Sequence, residues 1–271
     1  ALSAHPGERQ LRVLGPTPSR GYVDMTAGVL EAFGGSVRVE QLASDVEGEA
    51  GEVYTVRGPL TAPSQALVCE RDASAAAVAL AAGALSGGAP TSVEGLGLGS
   101  LQPDVAITRC LEAFGCSAEG SDGARLVISG APTRGAEVDC GPFPDLAPVL
   151  AAVAAYCASR GLGSSTLTGL GTLPGKESNR IAVLARGLEA MGLSVDQGPA
   201  HLGIGPRDIG AEHAAGPMLF DPAGDHRMVF FAALLSLFHP GVRCLEPGCV
   251  QKSWPRFWRD LERAGGTLSS S

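Results

Sequence analysis

Leu111-Glu112-Ala113-Phe114-Gly115 recurs as Leu30-Glu31-Ala32-Phe33-Gly34, Leu188-Glu189-Ala190-Met191-Gly192 and Leu261-Glu262-Arg263-Ala264-Gly265. The copies lie 73 to 81 residues apart, a period that marks a repeated supersecondary unit. Each phrase reads as the end of a helix, with its glycine in the left-handed conformation that closes a C-terminus. After the first three copies come two short strand-like segments: Ser36–Glu40 and Val53–Val56, Ser117–Glu119 and Arg125–Ser129, Ser194–Asp196 and His201–Ile204.

Outward from the phrase, a second helix precedes each of the last three copies, over Ala73–Leu85, Leu146–Ser159 and His226–Phe238. An aspartate stands at each start (Asp72, Asp145, Asp225), a residue that caps helices by accepting the free N–H groups of the first turn. A glycine-rich turn and a strand follow, at Thr91–Val93, Thr166–Thr168 and Val242–Cys244. The unit is therefore strand–helix–strand–helix–strand–strand (βαβαββ), and the fold class is α/β (α+β). Three units, over about 68–135, 136–205 and 206–271, make one lobe spanning residues 68–271. Residues 1–67 hold only the second half of another unit, a partial second lobe that cannot close a core by itself.

Composition narrows the function. The chain has 271 residues, 45% apolar and 18% charged, enough for a substantial core, while 5% aromatic content leaves that core to Ala, Val and Leu. A net charge of −8 argues against a nucleic-acid partner. The apolar runs Ala75–Ala82 and Met228–Phe238 fall well short of the ~20 residues of a membrane span. No basic and apolar leader opens the sequence, and the missing initiator Met suggests a trimmed or partial chain. Seven cysteines without CxxC spacing read as small buried hydrophobes of a reducing, cytoplasmic protein, and the five scattered histidines offer no metal site. Eighteen of the twenty basic residues are Arg, which makes the two lysines, Lys176 and Lys252, candidates for positions that need a compact ammonium, a weak pointer by itself.

Polar residues gather at helix starts, where free N–H groups favour anions. Gly175–Arg180 opens the helix that ends at Leu188, with Lys176 and Arg180 four apart on one face and Glu177 beside Arg180. Gly224-Asp225-His226-Arg227 places cations in a first turn, against the helix dipole, which an anionic ligand would explain better than stability does. Lys252 sits in the same part of its repeat as Lys176. Taken singly, each motif has an ordinary reading: a charged first turn, a surface arginine balanced by Asp225, a cap at Asp145, a cap at Ser19 and a core aromatic at Tyr22. Equivalent places in successive repeats argue for one cleft suited to a small phosphate- or carboxylate-bearing ligand, with Asp145 and Glu177 available for proton transfer.

Pro144-Asp145, Gly175-Lys176-Glu177-Ser178-Asn179-Arg180, Gly224-Asp225-His226-Arg227-Met228 and Gln251-Lys252-Ser253-Trp254-Pro255 resemble the signatures of the 5-enolpyruvylshikimate-3-phosphate synthase family. Ser19-Arg20-Gly21-Tyr22-Val23-Asp24-Met25-Thr26 resembles its S-x-x-Y segment, and the match runs over about residues 10–266. The sister UDP-N-acetylglucosamine enolpyruvyl transferases share the repeats and lack the Lys-Glu-Ser and Asp-His-Arg signatures.

The resemblance implies enolpyruvyl transfer from phosphoenolpyruvate to the 5-hydroxyl of shikimate 3-phosphate, without metal or organic cofactor, in the glyphosate-targeted step of the shikimate pathway. It implies that Asp145 binds the shikimate ring and takes the hydroxyl proton. Glu177 would handle the proton at the methylene carbon, and Lys176 would contact the shikimate substrate. Arg180 and Arg227 would clamp the carboxylate of phosphoenolpyruvate and Lys252 its phosphate. Ser19 would touch the 3-phosphate, with Tyr22 against the ring. The implied fold is two lobes closing on the substrates.

The chain departs from the family in lacking most of what precedes the S-x-x-Y segment, and in carrying Asn179 for an Asp and Thr172 for an Asn or Arg. Two expectations follow: a partial or split transferase that works with a separate N-terminal half, or a catalytically inactive truncated homologue acting as a binding or regulatory module.

Overall fold

A computed structural model describes residues 6–42, 50–121, 125–207, 217–239 and 241–267. The chain divides into two compact units, one of residues 1–70 with 99–103 and one of residues 71–98 with 104–271.

The first unit comprises β1 (Gly7–Leu14), α1 (Arg20–Ala32), β2 (Ser36–Leu42) and β3 (Gly51–Gly58). Its antiparallel sheet has the order β1-β3-β2. The middle strand carries most of the burial, and no residue of α1 is buried. Leu11, Leu14 and Val29 are each at least 50% exposed, so this unit leaves several large aliphatic side chains uncovered. Inside it, Glu52 accepts hydrogen bonds from the hydroxyls of Thr17 and Tyr54, from Gln41 and from Arg20. The two hydroxyls and then Gln41 and Arg20 outweigh the cost of burial and hold its carboxyl at about 2.

The second unit runs through α2 (Ala73–Leu85), β4 (Thr91–Glu94), α3 (Ile107–Ala113), β5 (Ser117–Ser121), β6 (Arg125–Ser129) and β7 (Glu137–Asp139). It continues with α4 (Ala147–Ser159), β8 (Ser165–Thr168), α5 (Arg180–Ala190), β9 (Ser194–Gln197) and β10 (Leu202–Gly205). It ends with β11 (Met218–Phe220), α6 (His226–Ser236), β12 (Val242–Cys244) and α7 (Phe257–Arg263). The repeats show in the sheets, whose orders are β4-β6-β5, β7-β8-β10-β9 and β11-β12. Among the described residues only the middle repeat has all four strands.

Helices form the interior. Every residue of α4 from Ala147 to Ala158 is buried, and its many alanines let α2 and α6 approach closely. The strands lie outside and bury one face, as Leu126 and Ile128 do in β6 and Leu202 and Ile204 in β10. The repeated phrase ends its helix as the sequence implies, with Gly34, Gly115, Gly192 and Gly265 all at φ between 74° and 99°. Gly187 answers to packing instead, because a Cβ there would lie 2.8 Å from Phe220 and 2.9 Å from Phe231.

Candidate functional site

Within the second unit the helix N-termini meet. Asp72 accepts from the Ala75 N–H at the start of α2, Asn179 from Ala182 at α5 and Asp225 from Arg227 at α6. The sequence expectation of a cap at Asp145 is corrected here. Asp145 lies in a 3₁₀ turn, Pro144–Leu146, and neither that turn nor α4 has a side-chain cap. Its carboxylate is taken instead by three cations from other elements: Arg180 Nη1 at 2.9 Å, Arg227 Nη2 at 2.9 Å and Lys176 Nζ at 3.5 Å. With three cations around it, the carboxylate is satisfied by charge-assisted contacts and does not turn back to the helix N–H groups.

Arg180 is the hub. Its guanidinium is 1% exposed, donating through Nε to Asp225 (2.7 Å), through Nη1 to Asp145 and through Nη2 to Glu177 (2.7 Å). Asp225, fully buried, also accepts from Ser178 Oγ at 3.1 Å. Burial opposes the charge on Arg180, and the facing carboxylates of Asp225, Asp145 and Glu177 more than restore it, so its pKa is raised. Glu177 bridges onward to Lys252, whose Nζ lies 2.5 Å from Oε1. The Lys252 hydrogen bond is the main cause that holds the Glu177 carboxyl at about 2, with burial opposing and Arg180 assisting. For Asp145 burial again opposes ionisation, and Arg227, Lys176 and Arg180 together hold its pKa below the usual carboxylate range.

Lys176, Glu177, Arg180, Arg227, Lys252 and Asp145 therefore form one continuous network. The expectation that Lys176 and Arg180 share a helix face is corrected: α5 starts at Arg180 because Asn179 caps it, and Lys176 closes the preceding 3₁₀ turn. The two meet through Asp145 rather than through helical periodicity. The dipole reasoning at α6 is also refined. Burial and the neighbouring Arg227 push the His226 pKa down, which disfavours a second positive charge in the first turn, while the Arg227 charge is met by Asp145. Three buried side-chain polar atoms have no hydrogen-bond partner among the described residues: Thr172 Oγ1, His226 Nδ1 and Arg227 Nε.

Ser19 and Tyr22 belong to the first unit. Ser19 holds the position before α1 with φ 55° and makes no side-chain cap bond, which corrects its reading as a cap. Tyr22 is half-buried, and its N–H donates to Ser19 O at 3.0 Å. Sequence reading missed Ser74, whose hydroxyl pairs with buried Asp104 and lies 3.4 Å from Arg227 Nη2. It also missed that Asp225 is the counterion of Arg180, 45 residues away. The signal available was the Asp-His-Arg motif itself, in which the aspartate does more than cap.

A family model described as EPSP synthase (3-phosphoshikimate 1-carboxyvinyltransferase) matches residues 2–261. The chain is 34% identical over 271 residues to the 3-phosphoshikimate 1-carboxyvinyltransferase of Methanopyrus kandleri, covering 99% of itself and 58% of that relative. It is 36% identical over 255 residues to the enzyme of the same name from Laribacter hongkongensis, covering 93% of itself and 55% of the relative. The fold is like that of EPSP synthase from Acinetobacter baumannii, with TM-score 0.69 at 22% identity over 97% of this chain and 58% of that one. The chain thus spans little more than half the length of the curated relatives it matches. With the family model matched along nearly its whole length and the ordered motifs gathered in one network, this chain belongs to the EPSP synthase family.

Proposed function

We propose that this chain carries one side of an active site that transfers the enolpyruvyl group of phosphoenolpyruvate to the 5-hydroxyl of shikimate 3-phosphate. The rest of the site would come from the part of the relatives' length that the chain does not span, supplied as a separate N-terminal half. In the reaction the 5-hydroxyl oxygen bonds to C2 of phosphoenolpyruvate while the methylene carbon gains a proton. The C2–phosphate bond then breaks as the methyl group gives a proton back, and inorganic phosphate leaves.

One observation carries this reading: four cations, Lys176, Arg180, Arg227 and Lys252, converge on the two carboxylates Asp145 and Glu177. In the structure these carboxylates occupy the cations. A bound carboxylate would draw on Arg180 and Arg227, including the unpartnered Arg227 Nε, and a bound phosphate on Lys252. Glu177 would then lose the partners that keep its pKa near 2, and its rising pKa would fit it to carry the proton to and from the methylene carbon. Asp145, freed in the same way, would orient the ring and take the 5-hydroxyl proton, with Lys176 beside it. Ser19 and Tyr22 would serve the 3-phosphate and the ring. The family's chemistry asks for no metal or organic cofactor, and its small-molecule substrates suit a protein of the cytoplasm.

The share of the relatives left uncovered supports a second reading, a binding or regulatory module without turnover. Phosphate release from phosphoenolpyruvate and shikimate 3-phosphate separates the two. The chain alone is expected to turn over negligibly, and mixing with a polypeptide that spans the uncovered part of a relative is expected to restore release. Glu177→Gln and Lys252→Ala should each abolish the rescue. A mixture that forms a complex yet releases no phosphate would overturn the transferase reading.

A further inference from the structure

We propose that Ser74 and Asp104 are positioning residues for Arg227, holding its guanidinium in place while it exchanges the Asp145 carboxylate for that of a ligand. This deepens, and rests on, the reading of Arg227 as a carboxylate clamp. Both residues come from the first repeat of the second unit, which supplies none of the site residues read from the sequence. Ser74 stands two residues past Asp72 in the first turn of α2, as Arg227 stands two past Asp225 in the first turn of α6. Asp104 lies in the 3₁₀ turn Pro103–Ala106 that leads into α3, and it is 1% exposed. The Ser74 hydroxyl donates to its carboxylate. In the second repeat Asp145, before α4, pairs in the same way with Arg180 at the start of α5. A polar pair thus ties the two helix starts in each of these repeats, and the pair of the first repeat reaches Arg227 of the third.

Donor and acceptor counts fix the direction of the contact. A serine hydroxyl has one proton to give and lone pairs to share. With the proton given to Asp104, the Ser74 oxygen meets Arg227 Nη2 as an acceptor at 3.4 Å. Arg227 also donates to Asp145, from Nη2 to Oδ2 at 2.9 Å and from Nη1 to the main-chain oxygen at 3.3 Å. Its Nε has no partner among the described residues. A ligand carboxylate competes with Asp145 Oδ2 for this guanidinium, and Ser74 Oγ is a contact that survives the exchange. A second carboxylate set directly on Arg227 would hold it too, but as a charged rival of the ligand. Acting through a hydroxyl, Asp104 polarises the acceptor that orients Arg227 and leaves the positive charge for the ligand.

Two measurements test this, the first without substrate. In the full chain, nitrogen NMR follows rotation about the Nε–Cζ bond of Arg227, whose signal is assigned by its loss in Arg227→Lys. Ser74→Ala is expected to speed that rotation about fivefold or more, whereas Ser74→Thr, which keeps the hydroxyl, should stay within about twofold of the unaltered chain. The second measurement uses the mixture with a polypeptide that spans the uncovered part of a relative. There Ser74→Ala should raise KM for phosphoenolpyruvate about tenfold or more, with kcat and KM for shikimate 3-phosphate within about threefold. Ser74→Thr should bring KM for phosphoenolpyruvate back. Should Ser74→Ala fail to fold, Ser74→Cys takes its place with the same expected directions, because a thiol is a weaker donor and acceptor. Unchanged rotation would overturn the proposal, as would an equal rise in both KM values or a fall in kcat with KM for phosphoenolpyruvate unmoved. If the unaltered mixture releases no phosphate, the transferase reading fails instead, and the rotation of Arg227 alone decides whether Ser74 positions it.

Discussion

Arg180 and Asp225 are buried together, 1% and 0% exposed, so their pairing is not screened by water. Removing one charge of such a pair leaves the other uncompensated in a low-dielectric interior. Asp225→Asn isolates this loss, because asparagine caps a helix about as well as aspartate and preserves the bond to the Arg227 N–H. Arg180 keeps Asp145 and Glu177, so the expected cost is about 3 kcal/mol, read by urea unfolding. An unchanged midpoint would mean that Asp225 acts only as a cap. A pH titration probes the same network. Glu177 and Glu52 both sit at about 2, below the ordinary 4.5, so each favours the folded state at any pH above 4.5. That contribution fades as pH falls from 4.5 toward 2, when the folded protein must take up the protons as well. Carbon-detected NMR should find both side chains still ionised at pH 3.5. The cationic members of this network were legible as motif residues at helix starts. The Arg180–Asp225 pairing was not, because it joins side chains from different repeats and no local spacing encodes it.

At the scale of elements, local chemistry predicted the ends of helices better than their contents. Asp72 caps as an isolated aspartate before an apolar run should, and four glycines close four helices in the left-handed conformation. Charged first-turn spacing misled at Gly175–Arg180, because a cap three residues further on, Asn179, moves the start of α5 past Lys176. Asn179→Ala removes the bond to the Ala182 N–H and is expected to cost about 1 kcal/mol of stability. Larger losses would show that the cap also fixes Arg180, the first residue of α5. Inside that helix Gly187 weakens helix propensity, yet the rings of Phe220 and Phe231 occupy the space a methyl group would need. Gly187→Ala should therefore destabilise by about 1–3 kcal/mol, against the gain that alanine gives in an open helix. No sequence pattern announced this, since Phe220 comes from β11 in the next repeat.

Across the whole molecule, burial is distributed unevenly between the two units, and this sets where the chain opens first. The second unit holds nearly all of the fully buried apolar residues, with α4 enclosed on every side. The first unit has a largely buried central strand in β3, a helix with no buried residue and three large aliphatic side chains at least half exposed. Segments with few buried apolar contacts open by small local fluctuations, while segments enclosed by the core exchange only when the whole unit unfolds. Native-state hydrogen exchange should therefore find the amides of α1 at least about 100-fold less protected than those of α4, a gap of about 2.7 kcal/mol in opening free energy. Increasing urea should lower the protection of α4 steeply and leave that of α1 almost unchanged, because local opening exposes little surface. Equal protection of the two helices would show that the first unit is stabilised by something other than apolar burial. If the uncovered part of the relatives' length packs on the α1 face, adding a polypeptide that spans it should raise protection in α1. Protection of α4, already limited by unfolding of the second unit, should rise only by as much as that unit is itself stabilised.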